Sequence, residues 1–215
     1  MPVALAENAL TTLSAAKDYL DISDSYTDED ERIIRIINRA SGLIASHTSR
    51  VLVTQEHTEL YDGRRSNRLI LNEFPILGGT AAGGKPLLYL SSNRDFTEPV
   101  DPTKYYFNDN EIIYPDVFPK GTLNIKVIYQ AGLGKVDSVA ETNTLPDDLE
   151  LACLITVLWL YDTQIDRRTG KNSKTKGDES VSYALGLPQE VVEILDKSYT
   201  RDELPALAPV GMKNR

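Results

Sequence analysis

Residues Glu59–Ile76 read ELYDGRRSNRLILNEFPI. An apolar run descends to Asp62-Gly63, crosses a polar stretch, and climbs out through Leu69, Ile70 and Leu71. It closes on Phe74-Pro75-Ile76, which should return the chain to a core. An Asp-Gly pair between two such runs predicts a β-hairpin turning at Asp62-Gly63. No residue in the stretch has the character of a catalytic group.

The same short period continues on both sides. Val51 to Tyr61, Arg68 to Leu71, Pro86 to Ser91, Lys104 to Phe107, Glu111 to Tyr114 and Thr122 to Tyr129 are short and rich in β-branched and aromatic residues. Asn108-Asp109-Asn110 predicts a tight turn within a hairpin that carries Tyr105, Tyr106 and Tyr114. Gly132 and Gly134 close the last strand.

Outside this region the period becomes helical. Thr12 or Ser14 can cap a short helix near 13–20, with Leu13, Ala16 and Leu20 on one face. Thr27 with Asp30 resembles a capping box, and the acids at 28–31 suit a helix N-terminus. A helix over 28–47 then shows Ile33, Ile37, Ala40 and Ile44 on a stripe widened by Ile34, Ile36 and Leu43. Pro146 and the acids after it open a third helix over 146–165, apolar nearly all round. Pro188 opens a fourth over 188–197. The expected class is therefore α+β: a helical bundle with an inserted small antiparallel β subdomain. Its parts are an N-terminal arm (1–11), patternless and expected to be loose, a helical domain (12–50 and 133–198), the β insertion (51–132) and a C-terminal tail (199–215). Residues 167–180 are polar and without apolar period, and are expected to form a mobile loop.

The chain has 215 residues, 41% apolar and 26% charged, which suits one domain with a sizeable insertion. A net charge of −9 argues against gripping DNA phosphate as the main task, though not against DNA passing nearby. The single cysteine, Cys153, lies in an apolar run with no cation in view, so it is read as a buried structural thiol in a reducing compartment. No signal peptide is apparent, and the apolar run Leu151 to Tyr161 is too short to span a bilayer. A soluble protein made in a cytoplasm is expected.

Few motifs suggest chemistry. Gly79 to Lys85 matches a phosphate loop, but Pro86 replaces the required Ser or Thr and a strand-like segment follows. A flexible glycine loop is the better account. His47 and His57 have no third ligand in prospect, so no metal is expected. Asp24 to Asp28 lacks the bend glycine and the terminal Glu of a calcium loop. The one basic concentration, Arg167, Arg168, Lys171, Lys174 and Lys176, is either a solvated loop or a contact for DNA or an acidic partner.

Several pieces recur in a telling order: LTTLSAAKDYLDI (10–22), the acid-capped helix 28–44, ELYDG (59–63), LIL (69–71), FPI (74–76), VIYQAG (127–132), LPDDL (145–149) and LPQEV (187–191). Together they span most of residues 10–198. In order and spacing they resemble the head–tail connector family of tailed bacteriophages, also called adaptor or head-completion proteins. The resemblance implies a non-enzymatic virion protein without cofactor, in a twelve-fold ring at the head–tail junction. Its partners would be the portal protein, a stopper or tail-completion protein, other copies of itself, and packaged DNA passing without sequence-specific binding; no membrane is involved. The family's portal-docking segment maps onto 199–215, where Tyr199, Leu204, Leu207, Val210 and Arg215 stand. A ring subunit needs lateral faces, and Ile34, Ile36, Leu43, Leu151, Leu154 and Leu158 offer them. The glycine-rich segment 77–85, the stretch 91–103 and the tail look longer than the family's lean form. Another neck component, or a nucleotide-dependent enzyme built on 79–85, are the alternatives.

Overall fold

In the computed structural model, residues 3–168, 174–176, 179–181 and 187–200 are described. The chain is mixed α and β, with four helices and antiparallel sheets. It divides into two compact units, one of residues 1–50 with 137–215 and one of residues 51–136.

The first unit holds the helices. Helix α1 (Leu13–Tyr19) starts on Thr12, whose hydroxyl accepts a hydrogen bond from the Ala15 amide at 3.1 Å. Helix α2 (Asp30–Thr48) buries Ile33, Ile36, Ile37, Ala40 and Ile44 and stops where Ser49 turns left-handed. The expected Thr27 capping box does not form. Glu29 holds the cap position with its carboxylate turned to Arg32 and the Tyr161 hydroxyl rather than to the helix amides, and the Asp30 carboxylate is taken by Lys17 at 2.8 Å. Helix α3 (Asp147–Arg168) buries Leu149, Ala152, Cys153, Val157 and Leu160, and α4 (Gln189–Ser198) buries Val191 and Leu195. Helix α3 packs against each of the other three. A fully buried Leu or Ile of this kind contributes about 1.5–3 kcal/mol, so these facing stripes dominate the unit's stability.

Two expectations are corrected here. The end of the N-terminal arm is packed rather than loose: Ala9, Leu10 and Thr11 are buried, the Leu10 amide donates to Ser41 Oγ, and Thr11 Oγ1 donates to Glu150 Oε1. Two partners thus hold a segment that has no period of its own. The second correction concerns 167–180. Helix α3 runs on to Arg168, and Lys174–Lys176 pairs antiparallel with Glu179–Val181. The rest of that stretch, 169–173 and 177–178, lies outside the described residues.

The second unit holds seven strands: β1 (Gln55–Gly63), β2 (Arg68–Ile70), β3 (Ile76–Gly78), β4 (Leu87–Leu90), β5 (Tyr106–Phe107), β6 (Glu111–Ile113) and β7 (Gly121–Ala131). Strand β7 is central, with β1 on one side and β3 and β4 along the other. A second sheet has the order β2-β6-β5. The β5–β6 hairpin forms as expected, because Asn108 Oδ1 accepts from the Asn110 and Glu111 amides. The core lies between the sheets, around Leu88, Tyr105, Ile112, Phe118, Ile125, Val127 and Tyr129.

The hairpin expected at Asp62-Gly63 does not exist. Strand β1 pairs with β7, and β2 with β6. Gly63 is a strand end set against Gly121, and its amide donates to Asn124 Oδ1. A Cβ there would lie 1.7 Å from the Pro119 carbonyl oxygen, so Gly63 is required by close approach rather than by a turn. The Asp62 carboxylate is likewise committed, accepting from the Leu123 amide at 2.7 Å.

Candidate functional site

The segments considered for chemistry have structural employment. In the glycine segment 79–85, the Gly79 and Ala81 amides donate to the Gly84 and Lys85 carbonyls, turning it back on itself. Lys85 Nζ donates to the Pro102 and Tyr105 carbonyls at 2.7 and 2.8 Å and lies against the Tyr105 and Tyr106 rings. Two of its three donors are thus held by backbone carbonyls, and strand β4 follows where a phosphate loop needs a helix. His47 Nε2 meets Asp196 at 2.7 Å, and the His57 ring packs on Tyr129. Among the described residues no three His, Cys, Asp or Glu side chains gather as metal ligands. Burial pushes the Cys153 thiol up to about 12, which removes it as a nucleophile near neutral pH.

One polar cluster was not legible in the sequence. Glu59, Tyr61 and Tyr129 lie on the inner face of the β1–β7 pair, where Glu59 Oε2 accepts from both tyrosine hydroxyls. The hydroxyls accept in turn from the Asn72 and Glu73 amides, fixing the chain after β2. Burial, with Glu59 beside them, raises both tyrosines above their ordinary range. The cluster holds a loop in place and carries no free nucleophile.

The remaining candidates are surfaces. On α3, Leu151 and Leu158 are 41% and 36% exposed, and Leu154 beside them is half-buried. Their spacing puts all three on one helix face. On α2, Ile34 and Leu43 are half-buried, but Ile36 is 1% exposed and belongs to the helical core. It presents no lateral face. Tyr199 is corrected too: it is buried, its hydroxyl donates to Asp148 at 2.5 Å, and its carbonyl accepts from Arg50. It closes the helical unit and is not part of a free tail. Leu204, Leu207, Val210, Arg215 and Lys171 lie outside the described residues. The backbone of Arg167 and Arg168 ends α3, and Lys174 and Lys176 sit on the two-stranded ribbon.

A cleft in the β unit was also missed. About 460 Å³ opens between the end of β1 and β2, floored by Leu69, Phe118 and Ile125 and rimmed by Leu60, Ile70 and Leu123. The only advance signal was the Arg64-Arg65 pair in an acidic chain.

Residues 9–201 match the head completion protein family. The chain belongs to that family. No curated protein matches it. Among solved structures, this head completion protein has the fold of a chain in the virion of a native gene transfer agent particle. The two are 17% identical at a TM-score of 0.57, covering 92% of this chain and 93% of that one. A chain in the neck of an empty gene transfer agent particle computed with C6 symmetry is similar at 17% identity and TM-score 0.55, over 89% and 92% of the two chains. A third similarity is to the neck of the native particle computed with C12 symmetry, at 16% identity and TM-score 0.54, over 89% and 91%. At such identities the likeness is one of fold.

Proposed function

We propose that this head completion protein is a structural subunit of the virion neck. It forms an adaptor ring, twelve-fold in symmetry, between the capsid portal and the stopper or tail-completion protein, and extends the DNA channel. The observation that carries the reading is family membership over residues 9–201, joined to a fold shared along about nine-tenths of the chain with gene transfer agent neck chains. A helical bundle with a β insertion gives such a subunit two bodies with which to meet neighbours, and the leucine face of α3 is one lateral contact. Residues beyond Tyr199 supply the portal-docking segment. The ring encloses DNA without gripping it, since a chain of net charge −9 repels phosphate. No catalysis is assigned: Cys153 is a buried thiol and Lys85 is held by carbonyls.

Particles assembled without the protein test this. They should contain packaged DNA but lack tails, and adding the purified protein should restore joining. Tailed, infectious particles in its absence overturn the proposal. If electron microscopy places the protein in the layer below an existing adaptor ring, the alternative of a stopper or tail-completion protein is correct instead.

A further inference from the structure

The cleft between β1 and β2 has three properties that bear on what fills it. First, it lies beside two strands that each pair on one side only: β1 with β7, and β2 with β6. Second, its floor of Leu69, Phe118 and Ile125 is apolar and incompletely covered, with Leu60 and Ile70 near half exposure at its rim. Third, its end is basic in an acidic chain. Arg64 lines it and Arg65 follows; both are exposed, and neither has a hydrogen bond or ion pair among the described residues. The other charged side chains of the lining are already engaged, Arg68 with Glu111 and Asp62 with the Leu123 amide.

A surface with the opposite character exists on the same chain. The segment Asp21–Asp28 is exposed along almost its whole length and carries Asp21, Asp24 and Asp28, with Tyr26 49% exposed among them. This loop is not slack. The buried Lys17 ammonium holds the Asp24 and Tyr26 carbonyls at 3.0 and 2.8 Å, fixing the backbone, while the exposed Asp24 carboxylate accepts from Ser14 Oγ at 3.4 Å. A fixed loop displaying one aromatic between carboxylates is a preorganised ligand for a cleft with an apolar floor and free arginines.

Resting on the ring reading above, we infer that the β1–β2 cleft of one copy receives the 21–28 loop of the next. Tyr26 enters between Leu60 and Ile70, and Arg64 and Arg65 pair with Asp24 and Asp28. The contact joins two different patches, so it is head-to-tail, the kind that builds closed rings.

Asn67→Cys, beside the cleft, and Ser25→Cys, in the loop, are made as separate proteins and mixed during assembly onto heads produced without the protein. The native Cys153 is buried and does not compete. With a short bismaleimide, the mixture should give a crosslinked dimer that neither protein gives alone. Rings visible by electron microscopy without that dimer overturn the inference and leave the ring reading standing; absence of rings removes both. A charge exchange supplies the second arm. Arg64→Glu with Arg65→Glu should lower incorporation by about tenfold or more, the effect of ~1.4 kcal/mol summed over both pairs. Asp24→Lys with Asp28→Lys should do the same, and combining all four changes should restore it. All four side chains are exposed, so unchanged thermal unfolding serves as the fold control. Normal incorporation of the arginine variant overturns the inference. A defect that the four-fold variant fails to rescue also overturns it, assigning the cleft to an acidic segment of another neck protein.

Discussion

Lys17 has its ammonium buried in the helical unit, yet each of its three donors has an acceptor: Asp24 O, Tyr26 O and Asp30 Oδ1. Lys17→Met fills much of the same volume but strands two carbonyls and a carboxylate. It should lower unfolding free energy by about 2–4 kcal/mol, read by urea denaturation. The cost arises because the acceptors are left behind, so Lys17→Met combined with Asp30→Asn should lose less than the separate changes predict. Cys153 is the second single-residue case. With its thiol pushed up to about 12, it should stay unmodified by a thiol reagent at pH 8 in the folded protein and react fully in denaturant. A buried thiol was foreseeable from its apolar neighbours. Lys17 was not, because periodicity assigns a lysine on a short helix to solvent, and only the loop wrapping over it makes it interior.

At the scale of elements, strands β2 and β6 are joined by Arg68 Nε and Nη2, which donate to Glu111 Oε2 and Oε1 at 2.6 and 2.5 Å. The Arg68 guanidinium holds the buried Glu111 carboxyl below its ordinary value, with help from Asn108. A lowered carboxyl stabilises the fold above its unfolded pKa, and that contribution is lost as pH falls through the folded value. The loss therefore lies below about pH 4.3. Glu111→Gln should cost about 1–3 kcal/mol at pH 7 and flatten the acid limb of the stability profile. The β5–β6 hairpin and the four helices were legible because their signals are local: an Asn turn, caps and a helical stripe. The β1–β2 hairpin was misread because alternation says that a strand exists without naming its partner. Strand β1 finds its pairing in β7, with Gln55 opposite Ala131 and Tyr61 opposite Ile125. Gly78 shows the same non-local constraint, since at φ +127 a Cβ would meet the Gly84 carbonyl oxygen at 2.2 Å. Gly78→Ala should destabilise the β unit by about 1–3 kcal/mol, measured by denaturation.

For the whole molecule, the buried position of Tyr199 separates two truncations that the sequence alone would treat as one. Removing 199–215 deletes the Tyr199–Asp148 and Arg50–Tyr199 bonds and should lower the melting temperature by several degrees. Removing 201–215 spares both bonds, and under the proposed portal contact it should abolish attachment to portal-bearing heads in a pull-down. Retained attachment would move the contact elsewhere. Within the β unit the first and last segments of the chain run side by side. Val53 and Gly134 form a parallel bridge, backed by bonds from Thr54 N to Gly134 O and from Leu133 N to Leu52 O. Three residues on either side of that bridge reach Arg50 and Asp137, so a linker of about seven residues spans the gap at most. The β unit therefore has the connectivity of a cassette: residues 51–136 are one continuous segment, so one uninterrupted stretch of the gene encodes it whole. The surfaces it carries are then free to be inherited separately from the helices that hold it.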